Sequence, residues 1–145
     1  FGPERRGAPV QAFSRVSPER IRIRSKIYEP DAAIVLDPTL LEAANPVEGL
    51  KPDGVLIVNT DKSVAEVREI TGYQGRIGVV DATRIAIEVI GRPITNTTML
   101  GALIKATGII SADAVDEPMK KRFGRLAARN LKALRRAIDE LVLEA

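Results

Sequence analysis

Between residues 34 and 83 the chain lays down three short, uniformly apolar runs at nearly even spacing: Ile34-Val35-Leu36, Val55-Leu56-Ile57-Val58 and Ile77-Gly78-Val79-Val80. Each run ends in Asp or Asn and then Thr, as Asp37-Pro38-Thr39, Asn59-Thr60 and Asp81-Ala82-Thr83. Apolar positions without alternation describe a strand covered on both faces, the condition of a parallel sheet between helices. The links carry helical patterns over residues 40–44, 63–71 and 82–90. An α/β layout follows, with Asp37, Asn59 and Asp81 aligned at the carboxyl edge, where such sheets bind ligands. Polar residues at that edge also serve as caps for the helices that follow them.

The flanking regions follow other periods. Val10 to Val16 is β-prone, Ser17-Pro18-Glu19 is turn-like, and Arg20-Ile21-Arg22-Ile23-Arg24 alternates strictly. That alternation predicts an antiparallel hairpin with Ile21 and Ile23 on one face and a cationic row of Arg20, Arg22, Arg24 and Lys26 on the other. After Gly91-Arg92-Pro93 the chain turns helical. One helix is expected over 98–107, capped by Asn96 or Thr97 and closed by Gly108. A second begins near Ser111 and Asp113 and bends at Pro118; a last one over about 121–143 carries Phe123, Leu126, Leu131, Leu134 and Ile138 on its apolar stripe. The expected fold is a single-domain three-layer α/β/α unit spanning 1–145, with a mostly parallel sheet, an N-terminal antiparallel hairpin and a helical C-terminus.

Charge changes the picture because it is segregated. Residues 1–30 hold seven basic and three acidic groups, residues 31–117 seven and thirteen, and residues 118–136 eight and none. The net charge of +3 therefore conceals two cationic segments around an acidic body. Such segments suit nucleic acid, a phosphate-bearing ligand or an acidic protein. No apolar run reaches the length of a membrane helix, and the expectation is a cytoplasmic protein without membrane contact.

Composition narrows the chemistry. The chain has no histidine and no cysteine. It cannot build a Ser-His-Asp or Cys-His nucleophile, a Cys/His zinc site or a thiolate-held cluster from its own side chains. It contains no P-loop motif, and its one glycine cluster, Gly72-Tyr73-Gln74-Gly75-Arg76-Ile77-Gly78, precedes a strand rather than joining strand to helix. Asp37 and Asp81 could act as a carboxylate pair only if their strands were neighbours. No independent catalytic site is expected. Two segments are better suited to ligands or partners: Phe1-Gly2-Pro3-Glu4-Arg5-Arg6-Gly7, where Glu4, Arg5 and Arg6 sit among residues that shape a loop, and Asn96-Thr97-Thr98-Met99-Leu100-Gly101, where Asn96 and Thr97 open a helix.

At these two segments the sequence resembles a known family. Phe1 to Val16, Ile27-Tyr28-Glu29-Pro30-Asp31, Val35 to Leu40, Val80 to Thr83 and Gly91 to Ala102 resemble, in order, the gamma subunit of the pyruvate (2-oxoacid):ferredoxin oxidoreductases. Family members start with a strand and a glycine-rich loop ahead of the Phe-Gly-Pro-Glu segment, so the resemblance implies an N-terminally incomplete gamma domain. It further implies a supporting subunit of a hetero-oligomer that oxidatively decarboxylates a 2-oxoacid, with pyruvate first among the candidates, forms acyl-CoA and carbon dioxide, and passes electrons to ferredoxin. Thiamine diphosphate, Mg2+ and iron–sulfur clusters are then expected on companion alpha, beta and delta subunits, with none in this chain and coenzyme A as co-substrate. Arg5 and Arg6, with Glu4, would face either coenzyme A or a companion subunit, and Asn96 and Thr97 would line the same edge as Asp37 and Asp81. Two other readings compete: a nucleic-acid-binding module using the basic hairpin and last helix, and a free-standing Rossmann-like enzyme.

Overall fold

The three apolar runs become neighbouring parallel strands, β1 (Ala32–Val35), β2 (Val55–Asn59) and β3 (Arg76–Val80), in a computed structural model that describes residues 8–145. A fourth strand, β4 (Val142–Glu144), returns antiparallel along β3, so the sheet order is β1-β2-β3-β4. β2 is buried along its whole length, which is why its sequence shows no alternation. Its pleat still sorts side chains by face. Leu56 and Val58 pack with Val64, Val67, Ile77 and Val79 beneath α1 (Leu40–Ala43) and α2 (Val64–Thr71). Val55 and Ile57 face the opposite layer, α3 (Ala82–Ile90), α4 (Asn96–Thr107) and α6 (Ala127–Glu140), through Ile85, Met99, Ala102, Ala133 and Ala137. The result is the expected α/β/α sandwich.

Local chemistry sets the helix ends. Ser63 starts α2 with a capping box: its hydroxyl accepts from the Glu66 N–H, and the Glu66 carboxylate accepts from the Ser63 N–H. Asp81 caps α3 by accepting the Arg84 N–H at 2.9 Å. α4 meets α6 with no side chain between them at Gly101, where a Cβ would lie 2.1 Å from the Leu134 carbonyl oxygen. That close crossing carries Met99, Ala102 and Ala133 into one core.

The structure corrects four expectations. Residues 8–30 contain no strand, and Ile21 and Ile23 are exposed rather than buried on a hairpin face. Alternation gives a strand its two faces, but a strand also needs a hydrogen-bonding neighbour, and none stands beside this segment among the described residues. The last helix does not run unbroken from 121 to 143. A 3-10 turn (Ala112–Val115) leads into α5 (Asp116–Phe123), Gly124 with φ +52 ends it, and a second short turn leads to α6. Pro118 does not bend α5, because it sits in the first turn, where no intrahelical N–H is lost. At the far end Leu141 goes extended and Val142–Glu144 joins the sheet, with Leu141 and Leu143 filling the space that Gly78 leaves on β3. α4 also starts earlier than expected, at Asn96, and the residue before it, Thr95, makes no side-chain cap.

Candidate functional site

The carboxyl edge gathers the residues that end the three parallel strands. Val35, Val58 and Val79 are in register across β1, β2 and β3, so Asp37, Thr60 and Asp81 each lie two residues beyond that aligned row. The strand order decides whether the two carboxylates can work together. β2 lies between β1 and β3, which sets Asp37 and Asp81 two strand spacings apart, about 9.6 Å at the backbone. Each carboxylate is engaged locally instead. Asp37 accepts the Thr39 N–H at 3.0 Å and the Thr39 hydroxyl at 2.7 Å, and these bonds hold its carboxyl below the usual aspartate range. Asp81 caps α3 and pairs with the Arg84 guanidinium at 3.7 Å.

The organising side chain of the edge is Asn59, which is 2% exposed. Its Nδ2 donates to the Leu36 carbonyl at 2.8 Å and to Thr83 Oγ1 at 2.9 Å, while Oδ1 accepts the Thr83 N–H at 3.2 Å. One amide thus ties the exit of β1, the exit of β2 and the first turn of α3. Strand alignment already placed Asn59 at the edge, but only the fold shows that it is the buried member of the row. The recurrent Thr after each strand is the sequence signal for its partners, since Thr39 binds Asp37 and Thr83 binds Asn59.

Beside this edge lies an ion-pair network. Arg84 of α3 pairs with Glu88 one turn on and with Glu140 at the end of α6, and Arg136 pairs with Glu88 and Glu140. Hydrogen bonds from Arg136 hold the Glu88 and Glu140 carboxyls below their ordinary range. The fold turns Arg136 toward this network and leaves its side chain 31% exposed.

Asn96 and Thr97 form the first turn of α4, where the Asn96 side-chain Oδ1 accepts the Thr97 N–H at 2.9 Å and Thr97 is buried. The other end of α4 is fixed at the entering edge of the sheet, because the Arg76 guanidinium donates to the Ala106 carbonyl at 2.9 Å. The helix therefore runs from the carboxyl-edge end of the domain. No hydrogen bond joins Asn96 or Thr97 to Asp37 or Asp81 among the described residues. Glu4, Arg5 and Arg6 lie outside the described residues. A shallow hollow of about 520 Å3 sits at the opposite, entering edge, lined by Val47, Leu50, Tyr73 and neighbouring residues, and brings no charged side chain with it.

Among the described residues no three His, Cys, Asp or Glu side chains converge, and the chain has no thiolate for a cluster. No helix among them is long and apolar enough to cross a membrane. The edge is a hydrogen-bonded scaffold in which Asp37 closes a turn on Thr39 and Asp81 caps α3.

Comparison with known proteins supplies the rest. A model of the pyruvate ferredoxin/flavodoxin oxidoreductase family matches residues 1–140. The chain belongs to that family. Within it, the similarity is to gamma-type subunits. The chain is 49% identical over 145 residues to the pyruvate/ketoisovalerate oxidoreductases common subunit gamma of Thermococcus kodakarensis, covering 99% of this chain and 78% of that protein. It is 47% identical over 146 residues to the pyruvate synthase subunit PorC of Thermotoga maritima, covering 97% of this chain and 76% of that one. The crystal structure of pyruvate oxidoreductase subunit PORC from Thermotoga maritima superposes with a TM-score of 0.76 at 44% identity, over 82% of this chain and 67% of that chain. The family membership and the α/β fold expected from sequence are both borne out. Neither the nucleic-acid module nor the free-standing Rossmann-like enzyme finds support.

Proposed function

We propose that the chain is the gamma subunit of a 2-oxoacid:ferredoxin oxidoreductase and forms, as one domain over 1–145, the part of the complex that serves coenzyme A. The observation that carries this reading is the family match along residues 1–140 to relatives named as gamma subunits. The chemistry of the chain agrees with a supporting role, since its edge carboxylates are spent on caps and turns. The companion alpha, beta and delta subunits hold thiamine diphosphate with Mg2+ and the iron–sulfur clusters, which supply decarboxylation and electron transfer to ferredoxin. This chain contributes position. Arg5 and Arg6, steadied by Glu4, offer bidentate donors for the phosphates of coenzyme A or for a companion carboxylate, and Asn96 and Thr97 extend the same end of the domain as Asp37 and Asp81. The complex is cytoplasmic in this reading and acts on pyruvate or a branched-chain 2-oxoacid.

The test is steady-state acyl-CoA formation by the assembled complex carrying Arg5→Ala, Arg6→Ala or both, with coenzyme A varied. The Michaelis constant for coenzyme A is expected to rise with assembly intact and the 2-oxoacid constant unchanged. An unaltered constant for coenzyme A removes the two arginines from the ligand and leaves them to the subunit contact.

A further inference from the structure

Residues 8–26 are all exposed, and no helix or strand forms among them. Within this arm Val10 is 67% exposed, Val16 68% and Ile23 64%, with Tyr28 at its base 73% exposed. The arm is nonetheless shaped. The Arg15 guanidinium donates to the Ser25 carbonyl at 3.3 Å, folding the segment back on itself, and the Lys26 ammonium stands 5.8 Å from the Phe13 ring centre and 5.6 Å from that of Tyr28. Its base is pinned to the domain. The Pro30 carbonyl accepts the Lys51 N–H, Lys51 Nζ pairs with Asp31 at 2.6 Å, and Gly49 lies so close to the Tyr28 carbonyl that a Cβ there would meet it at 1.9 Å. Between Ala8 and Tyr28 five cations face one acid, Glu19. Arg20, Arg22, Arg24 and Lys26 form no ion pair with the acidic body of their own chain among the described residues.

We infer that the arm over residues 10–28 is the docking element through which this chain seats on a companion subunit, in an apolar groove rimmed by carboxylates. The inference rests on the gamma-subunit reading and adds where the contact lies and what chemistry it needs. Exposed apolar side chains interleaved with arginines are the composition of an interface centre, costly for a surface that meets only water. Charge complementarity sets the occupant: a net cationic arm that leaves its own acidic body untouched is matched by acidic groups on another chain. The strict alternation of Arg20 to Arg24 suits addition of this segment as a strand to a neighbouring sheet, isoleucines inward and arginines to the rim. Among the described residues no strand stands beside this segment, and the alternation gives no strand there.

The test uses the tagged chain co-expressed with its companion subunits, comparing the unsubstituted chain, Ile21→Asp with Ile23→Asp, Arg20→Glu with Arg22→Glu and Arg24→Glu, and, as a control on the other cationic face, Arg125→Glu with Arg129→Glu. Both arm variants are expected to recover companion subunits at least about tenfold less well, while the control recovers them normally and the thermal midpoint of each isolated variant matches the unsubstituted chain. Normal recovery by either arm variant overturns the inference. So does a lowered midpoint of the isolated arm variants, which would mean the arm packs on its own chain, or an isolated dimer that the arm substitutions dissociate, which would make a second copy the occupant. Failure of the unsubstituted chain to recover any companion would instead strike the gamma-subunit reading itself.

Discussion

Asn59 is the residue on which the geometry of the edge depends most, and its truncation has a calculable cost. Asn59→Ala removes both donors and the acceptor at once, leaving the Leu36 carbonyl and the Thr83 N–H without their partner. The Thr83 N–H lies in the first turn of α3, where no carbonyl of the helix can take it. A polar group left unsatisfied costs about 1–3 kcal/mol when buried, and the lower end applies here because the bond to Leu36 is only partly buried. Two such groups give a loss of about 2–3 kcal/mol, readable as a fall in the urea midpoint at constant slope. Asn59→Asp keeps the shape and the acceptor but turns a donor into an oxygen facing the Leu36 carbonyl. Burial raises the folded-state pKa of that new carboxyl, so the folded state prefers it protonated. The unfolded chain ionises above about pH 3.9, and the penalty grows as pH rises from there toward 7. A cycle with Thr83→Ala isolates the pair, with a coupling of about 1 kcal/mol expected. An Asn59→Ala chain within about 0.5 kcal/mol of the unsubstituted one, or strict additivity with Thr83→Ala, would refute the role assigned to this amide.

Three further outcomes follow from the same structure. Thr98 is fully buried with its hydroxyl unpartnered, so Thr98→Val, which keeps the shape and removes the hydroxyl, should raise stability by about 1 kcal/mol by the same urea measurement. Gly101→Ala gains about 1 kcal/mol of helix propensity but drives a Cβ into the Leu134 backbone, where overpacking costs about 3 kcal/mol; calorimetry should show a net loss near 2 kcal/mol. Glu140→Gln should lower the thermal midpoint at pH 7, because Arg136 and then Arg84 depress the pKa of this carboxylate. A depressed carboxylate stabilises above its unfolded pKa and loses that contribution as pH falls, so the gap between Glu140→Gln and the unsubstituted chain should close below about pH 4, and should narrow in high salt at neutral pH.

Much of the architecture is legible in the sequence because burial on both faces leaves a plain signature: Val55 to Val58 has no polar position, and the Asp, Asn and Thr after each run mark where the strands end. The helix starts at Ser63 and Asp81 and the stop at Gly108 are equally readable, being set by side chains and by one left-handed residue. What stays hidden depends on who the neighbours are. The Arg20 to Arg24 alternation describes a strand's faces but not its partner, and without one it stays unpaired. Val142 to Glu144 continues a helical stripe in sequence, yet β3 has an open flank and Gly78 leaves room for Leu141 and Leu143, so a strand forms there instead. At the site, strand order separates Asp37 from Asp81, a fact that local pattern does not carry. Arg84–Glu88 and Arg136–Glu140 are spaced four apart and readable as helix pairs, but the links that join them between α3 and α6, Arg84–Glu140 and Arg136–Glu88, cross about fifty residues and leave no local trace.

The central claim is that this chain supports coenzyme A-dependent turnover by companion subunits that carry the cofactors. The direct measurement is to assemble those subunits with and without this chain, supply a 2-oxoacid, coenzyme A and ferredoxin, and follow acyl-CoA, carbon dioxide and reduced ferredoxin together. Acyl-CoA formation that requires this chain, restored in proportion to the amount added, is the predicted result. Equal acyl-CoA formation at every coenzyme A concentration in its absence would contradict the claim.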